Sequence, residues 1–151
     1  MPKAIRKYIP ENSTEMQEKF INCLMHQGKK SIARRIWKDT LIEISEKGNK
    51  DPEIIFEKAI EQTKPAMEVR PRRVGGAVYQ VPVEVKPHRQ LSLSFRWLLL
   101  SARGMKGSPM YKRLATTLIE ASNGQGPAVK KKDDVHRMAQ ANKAFAHLAK
   151  Y

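Results

Sequence analysis

The stretch RPRRVGGAVYQVPVEV, Arg70 to Val85, constrains the fold more than any other. It alternates like a strand pair around Gly75-Gly76, and nothing else in the chain has a strand's pattern. Pro71 and Pro82 lie within its two arms. Proline donates no ladder hydrogen bond, so neither arm can be central in a sheet. The stretch has no sheet to join, and the core must be built from helices. An isolated ribbon is marginal in water, so this one must lean on helices at its base or on a partner at its tip.

Two registers are open to the ribbon. A two-residue Gly75-Gly76 turn pairs Arg72 with Tyr79 and Arg70 with Val81, mixing polar and apolar residues on both faces. A three-residue Val74-Gly75-Gly76 loop pairs Val69 with Val81 and Met67 with Val83, and sets Arg70 beside Gln80. One face is then apolar and the other polar, which is what a half-buried ribbon needs. Three-residue loops with a left-handed glycine and a bulge are common closures. The expectation is the three-residue loop.

Helical periodicity fills the rest. Asn12-Ser13-Thr14-Glu15 has N-cap chemistry, Phe20, Ile21 and Leu24 share a face, and Gly28 ends the first helix. A second runs from about Ser31 to Lys47, with Ala33, Ile36, Trp37, Thr40, Leu41 and Ile44 inside. A third opens on Asp51-Pro52, buries Ile55, Phe56, Ala59, Ile60 and Thr63, and stops at Pro65. The fourth covers about Arg89–Arg103, the fifth about Ser108–Asn123 and the sixth about Lys131–His147. The sixth is expected to bury Val135, Met138, Ala139 and Phe145. The expectation is a mainly α, six-helix single domain over residues 13–151, preceded by a basic flexible arm over 1–12. A two-stranded β-hairpin at about 66–87 protrudes between helices three and four.

Charge points to the partner. The chain has 151 residues and a net charge of +14, and the excess is uneven. Residues 11–63 are net −1, whereas 64–103 and 104–151 carry +6 each. Such asymmetry suits nucleic acid first and anionic membrane second. No apolar run is long enough to span a bilayer, and MPKAIRKYIPENS has no apolar core of a signal peptide. Cys23 is the one cysteine, so no internal disulfide or cysteine-based zinc site is possible, and a reducing, intracellular setting is expected.

Two basic sets carry the binding hypothesis. Arg89, Arg96 and Arg103 recur every seven residues and line one stripe of the fourth helix. Arg70, Arg72, Arg73 and Lys86 are expected to cluster at the ribbon's base, with few acids near to pair with them. Arginine suits phosphate because its planar fork donates two hydrogen bonds at once. The bland reading is a solvated face of snorkelling arginines. The second set is Lys29, Lys30, Arg34, Arg35 and Lys38. Lys30, Arg34 and Lys38 follow an i, i+4, i+8 pattern and repel unless an anion lies alongside. Here the bland reading is stronger, because Asp39 and Glu43 are near in sequence.

No catalytic centre is legible. GKKS at Gly28–Ser31 fails as a phosphate loop, because Cys23 stands where the first glycine belongs. Asp133, Asp134 and His136 look ligand-like, but acids in a helix's first turn are ordinary dipole complements and the histidines show no metal-ligand spacing. No nucleophile–base pair and no cofactor motif is present, so neither an enzyme nor a cofactor is expected.

Four blocks carry a resemblance. EKFINCLMHQGKKSIA (Glu18–Ala33), VRPRRVGGAVYQVPVEVKPHR (Val69–Arg89), FRWLL with SAR (Phe95–Arg103) and AVKKKDDVHRMAQANKAFAH (Ala128–His147) closely resemble the bacterial and plastid-type family of ribosomal protein seven of the small subunit. The resemblance implies a primary rRNA-binding protein on the 3′ major domain of 16S-type rRNA. It implies nucleation of small-subunit head assembly and a place near the exit-site tRNA and the mRNA exit path. It implies small-subunit proteins nine and eleven as neighbours, no homo-oligomer, and a cytoplasmic or organellar ribosome. Carried onto matching positions, Lys29, Lys30, Arg70, Arg72, Arg73, Lys86, Arg89, Arg96 and Arg103 become rRNA contacts, with Arg34 added from the second basic set. Val74, Gly75, Gly76, Ala77, Val78 and Tyr79 become a tip facing tRNA, and Lys130–Lys132, Arg137 and Asn142 match the final-helix block. The chain departs at Gln90, at GMKG (Gly104–Gly107) and at AHLAKY, where the family is usually more basic or aromatic. The alternative reading is a free-standing nucleic-acid-binding regulator or architectural protein with a β-ribbon arm. Such arms commonly carry an apolar wedge at the tip, and this tip is Gly-Gly.

Overall fold

The computed structural model describes residues 9–150, so most of the expected arm over 1–12 lies outside the described residues. The order is α1 (Glu15–Leu24), α2 (Lys30–Glu46), α3 (Pro52–Thr63), β1 (Met67–Val74), β2 (Ala77–Glu84), α4 (Pro87–Gly104), α5 (Met110–Ser122) and α6 (Pro127–Ala141), then a 3₁₀ segment Lys143–Lys150. This is the mainly α architecture with a hairpin between α3 and α4.

The helices start where the chemistry places them. Thr14 caps α1, its hydroxyl accepting the Gln17 N–H at 3.2 Å. α3, α4 and α6 each open on a proline. At the first helical position proline's missing N–H costs nothing and its fixed φ is already helical. α6 therefore starts at Pro127, four residues before the expected Lys131.

α5 is the hub, packing on α2, α3 and α4 through Leu114, Ala115, Leu118 and Ala121. Alanines on this face let the neighbouring backbones approach closely. Beside it, Phe20, Trp37, Phe56 and Phe95 form an aromatic cluster, with centroids 4.8–6.4 Å apart and mostly edge-to-face rings. Thr63 and Ser94 hydroxyls are buried between α3 and α4 and hydrogen-bond each other. Thr63 also donates to the Ala59 carbonyl at 2.8 Å, so the polar pair sits in the core with partners.

The hairpin register corrects the expectation. Val74 pairs with Ala77, Arg72 with Tyr79, Arg70 with Val81 and Met67 with Glu84. The loop is the two-residue Gly75-Gly76, with φ of 59° and 84°. A type I′ turn needs positive φ at both central residues, which Gly-Gly supplies without strain. In this register both prolines fall on non-hydrogen-bonded pairs, Pro71 opposite Gln80 and Pro82 opposite Val69. Their missing N–H groups remove nothing from the ladder. The three-residue register would set Pro71 at a hydrogen-bonding site. Segregated faces were not required, because only the root is buried, at Glu68, Val81, Pro82 and Val85.

The ribbon leans on the C-terminal part of the chain. β1 packs on α6 and β2 on the 3₁₀ segment. His136 Nε2 accepts the Ala66 N–H at 2.9 Å at the hairpin root. The expected sixth helix breaks at Asn142, whose side-chain amide donates back to the Met138 carbonyl at 2.8 Å. The chain then turns so that Phe145 meets Tyr79, centroids 5.3 Å apart. Two residues expected in the core are therefore elsewhere: Met138 is 50% exposed, and Phe145 is half-buried against the ribbon.

Candidate nucleic-acid interface

Strand alternation puts Glu68, Arg70 and Arg72 on one face of β1. Lys86 precedes α4 and Arg89 lies in its first turn, so the chain returns a second pair of cations to the same place. Glu68 is only 7% exposed. Arg70 donates through Nε to Glu68 Oε1 at 2.7 Å. Arg89 donates through Nε to both carboxylate oxygens, at 2.9 and 3.0 Å. A cleft of about 290 Å³ opens here, lined by Arg70, Arg72, Lys86, His88 and Arg89 among others.

The electrostatics follow from this packing. Burial alone would push the Glu68 carboxyl up, but hydrogen bonds and charge from Arg89 and Arg70 outweigh it and hold it below the usual glutamate range. The Glu68 carboxylate in turn raises Arg89 further above its ordinary value. From the sequence few acids are expected near these cations, yet Glu68 is paired with two of them and Glu84 also lines the cleft. Glu68 pairs with two of the proposed contacts, although both donate to it through Nε and not through a terminal guanidinium nitrogen.

Along α4, Arg96 is exposed and Arg103 reaches α1. Arg103 Nη2 donates to the carbonyls of Cys23 and Leu24 at 3.4 and 3.5 Å, long contacts that sit on the unsatisfied end of α1. Burial pushes the Cys23 thiol up, and the charges of Arg96 and Arg103 pull it back only in part, although the residue as a whole is exposed. Cys23 is not an activated thiolate.

Arg73 does not join the cleft. It pairs with Val78, one step from the pair that closes the turn, on the ribbon face opposite Arg70 and Arg72. The expected cluster at the base divides: Arg70 and Arg72 line the cleft, while Arg73 stands near the tip. At the tip Gly75, Gly76, Ala77 and Val78 are exposed, Val78 by 63%, and Val74 is half-buried. Tyr79 is held by Phe145 and is not part of a free tip.

The second basic set meets an acid from another helix. Glu18 of α1 is 6% exposed and takes both terminal nitrogens of Arg34, each at 2.8 Å. Lys30 Nζ lies 3.7 Å from the same carboxylate. The anion that relieves repulsion along α2 is therefore Glu18, not Asp39 or Glu43. Arg34's fork is occupied, whereas Lys29, Arg35 and Lys38 are exposed. Around α6, Lys130 and Lys131 are exposed, Arg137 lies 3.4 Å from Asp134, and Asn142 is engaged with its own helix.

Sequence reasoning passed over Glu68 and His88. The signal for Glu68 was its two-residue spacing from Arg70, which puts both on one side of a strand. Among the described residues no His/Cys/Asp/Glu group is placed to hold a metal. No described helix is long and apolar enough to cross a membrane.

The family model described as ribosomal protein S7p/S5e matches residues 2–143. The small ribosomal subunit protein uS7 of Pseudothermotoga lettingae is 51% identical over 146 residues, 95% of this chain and 94% of that protein. Its counterpart from Thermomicrobium roseum is 47% identical over 149 residues, 97% and 96% of the two chains. The one from Salinibacter ruber is 50% identical over 140 residues, 92% and 89%. With a match of that extent and relatives aligned almost end to end, the chain belongs to the ribosomal protein S7p/S5e family, a family of structural ribosomal proteins and not of enzymes.

Proposed function

We propose that this structural constituent of the small ribosomal subunit binds 16S-type rRNA directly, in the 3′ major domain, and nucleates folding of the head. The observation that carries the reading is the cleft between β1 and the start of α4, where Arg70, Arg72, Lys86 and Arg89 converge. Arg96 and Arg103 continue the charge along α4, and Lys29 is a further exposed cation at the start of α2. Phosphate neutralisation at such a surface releases counterions and supplies affinity. Specificity comes from the shape of folded RNA rather than from base edges. The exposed apolar tip, Gly75 to Val78, carries no charge and is suited to reach the exit-site tRNA and the mRNA exit path. Small-subunit proteins nine and eleven are the proposed protein neighbours, and the setting is the cytoplasmic ribosome.

The test is binding to a 16S-type head-domain fragment across a salt series. Alanine at Arg70, Arg72 and Arg73 together is expected to weaken binding and to reduce the log–log salt slope by about two if Arg70 and Arg72 meet phosphate in the cleft, and by about three if Arg73 meets phosphate as well. An unchanged slope removes these arginines from the interface. Equal competition by duplex DNA would favour a free-standing regulator instead.

A further inference from the structure

We propose that Glu68 is a positioning residue for nucleic-acid binding: its buried carboxylate aims the guanidinium groups of Arg70 and Arg89 into one phosphate-binding cleft. The inference rests on the rRNA-binding reading above and adds a residue of the opposite charge to it.

Both arginines approach Glu68 through Nε, with Arg70 at 2.7 Å and Arg89 at 2.9 and 3.0 Å. A guanidinium bound at Nε still presents the edge formed by its two terminal nitrogens, which matches two phosphate oxygens. Arg34 is the internal contrast, because Glu18 takes both of its terminal nitrogens and leaves no such edge. One carboxylate therefore fixes two long side chains, one from a strand and one from a helix, with no hydrogen bond from their terminal nitrogens among the described residues. Ordering flexible side chains before binding removes a cost that would otherwise fall on complex formation. Glu68 is suited to this because it is itself buried, with both arginines reaching it from the cleft side.

The proposal has a sign that simple charge counting opposes. Deleting an acid beside a phosphate site should strengthen binding if only net field matters. If Glu68 positions the arginines, deleting it weakens binding. Full-length protein is titrated with the 16S-type head-domain fragment at fixed salt. Glu68→Gln keeps side-chain shape and removes the charge, and it is expected to bind roughly three- to tenfold more weakly. In a background of Arg70→Ala and Arg89→Ala the same change is expected to have no further effect. A merely structural role would weaken both backgrounds alike. Wild-type or tighter binding by Glu68→Gln, or an equal loss in both backgrounds, overturns the positioning role. Full affinity in the double-alanine protein instead overturns the rRNA reading of the cleft. Should Glu68→Gln fail to fold, Glu68→Asp keeps net charge while withdrawing the carboxylate. It is expected to bind more weakly than wild type, and equal binding overturns the proposal.

Discussion

At the scale of single residues, the arginines divide by what occupies their nitrogens. Arg34 closes a two-point bridge to buried Glu18, so it holds α1 to α2. Arg34→Ala is expected to lower unfolding free energy by about 1–3 kcal/mol, tempered by Lys30 beside the same carboxylate. Arg96 is exposed, and Arg96→Ala should change stability by no more than about 0.5 kcal/mol while weakening binding to head-domain RNA. Urea unfolding alongside RNA titration separates the two, and a stability loss at Arg96 matching that at Arg34 would contradict the division. Glu68 adds a pH dependence. Its folded pKa is lowered, so the unfolded state takes up the proton more readily. The stabilisation is fully present above the ordinary glutamate value of about 4.3 and is lost as pH falls below it. Wild type should therefore lose more thermal stability than Glu68→Gln on acidification through that range. Parallel melting curves at each pH would show that the carboxylate contributes nothing.

At the scale of elements, the hairpin shows which local rule wins when two conflict. Face segregation argued for a three-residue loop. The observed two-residue turn is favoured by Gly-Gly at both positive-φ positions and by proline parity, and these prevail because most of the ribbon stands in solvent. Segregation specifies register only where a face is buried. The parity of Pro71 and Pro82 was legible in the sequence and is the signal that decides the register. The sixth helix is the reverse case. Nothing in its periodicity announces a stop at Asn142, since the stop serves a tertiary contact between Phe145 and Tyr79. Phe145→Ala is expected to raise amide exchange in β2 while leaving the protection of α5 and the main melting transition nearly unchanged. Unaltered exchange in β2 would mean that the C-terminal segment does not steady the arm.

Across the whole molecule, local signals in the chain specified the helix order, the hairpin between α3 and α4, the basic surplus beyond residue 63 and the four blocks that mark the family. Each of these depends on residues close in the chain: period, cap, proline position and composition. The existence of a basic surface was legible for the same reason, because Arg89, Arg96 and Arg103 share one helix. Which cations are tied down was settled by packing between elements. Glu18 lies 16 residues from Arg34, and Glu68 lies 21 from Arg89. Those pairs form when α1 packs on α2 and when the start of α4 brings Arg89 to Glu68 at the root of β1. A carboxylate in a sequence carries no mark of the helix it will face. The fold brings it there, and burial makes pairing obligatory, because an unpaired charge out of water costs far more than a paired one.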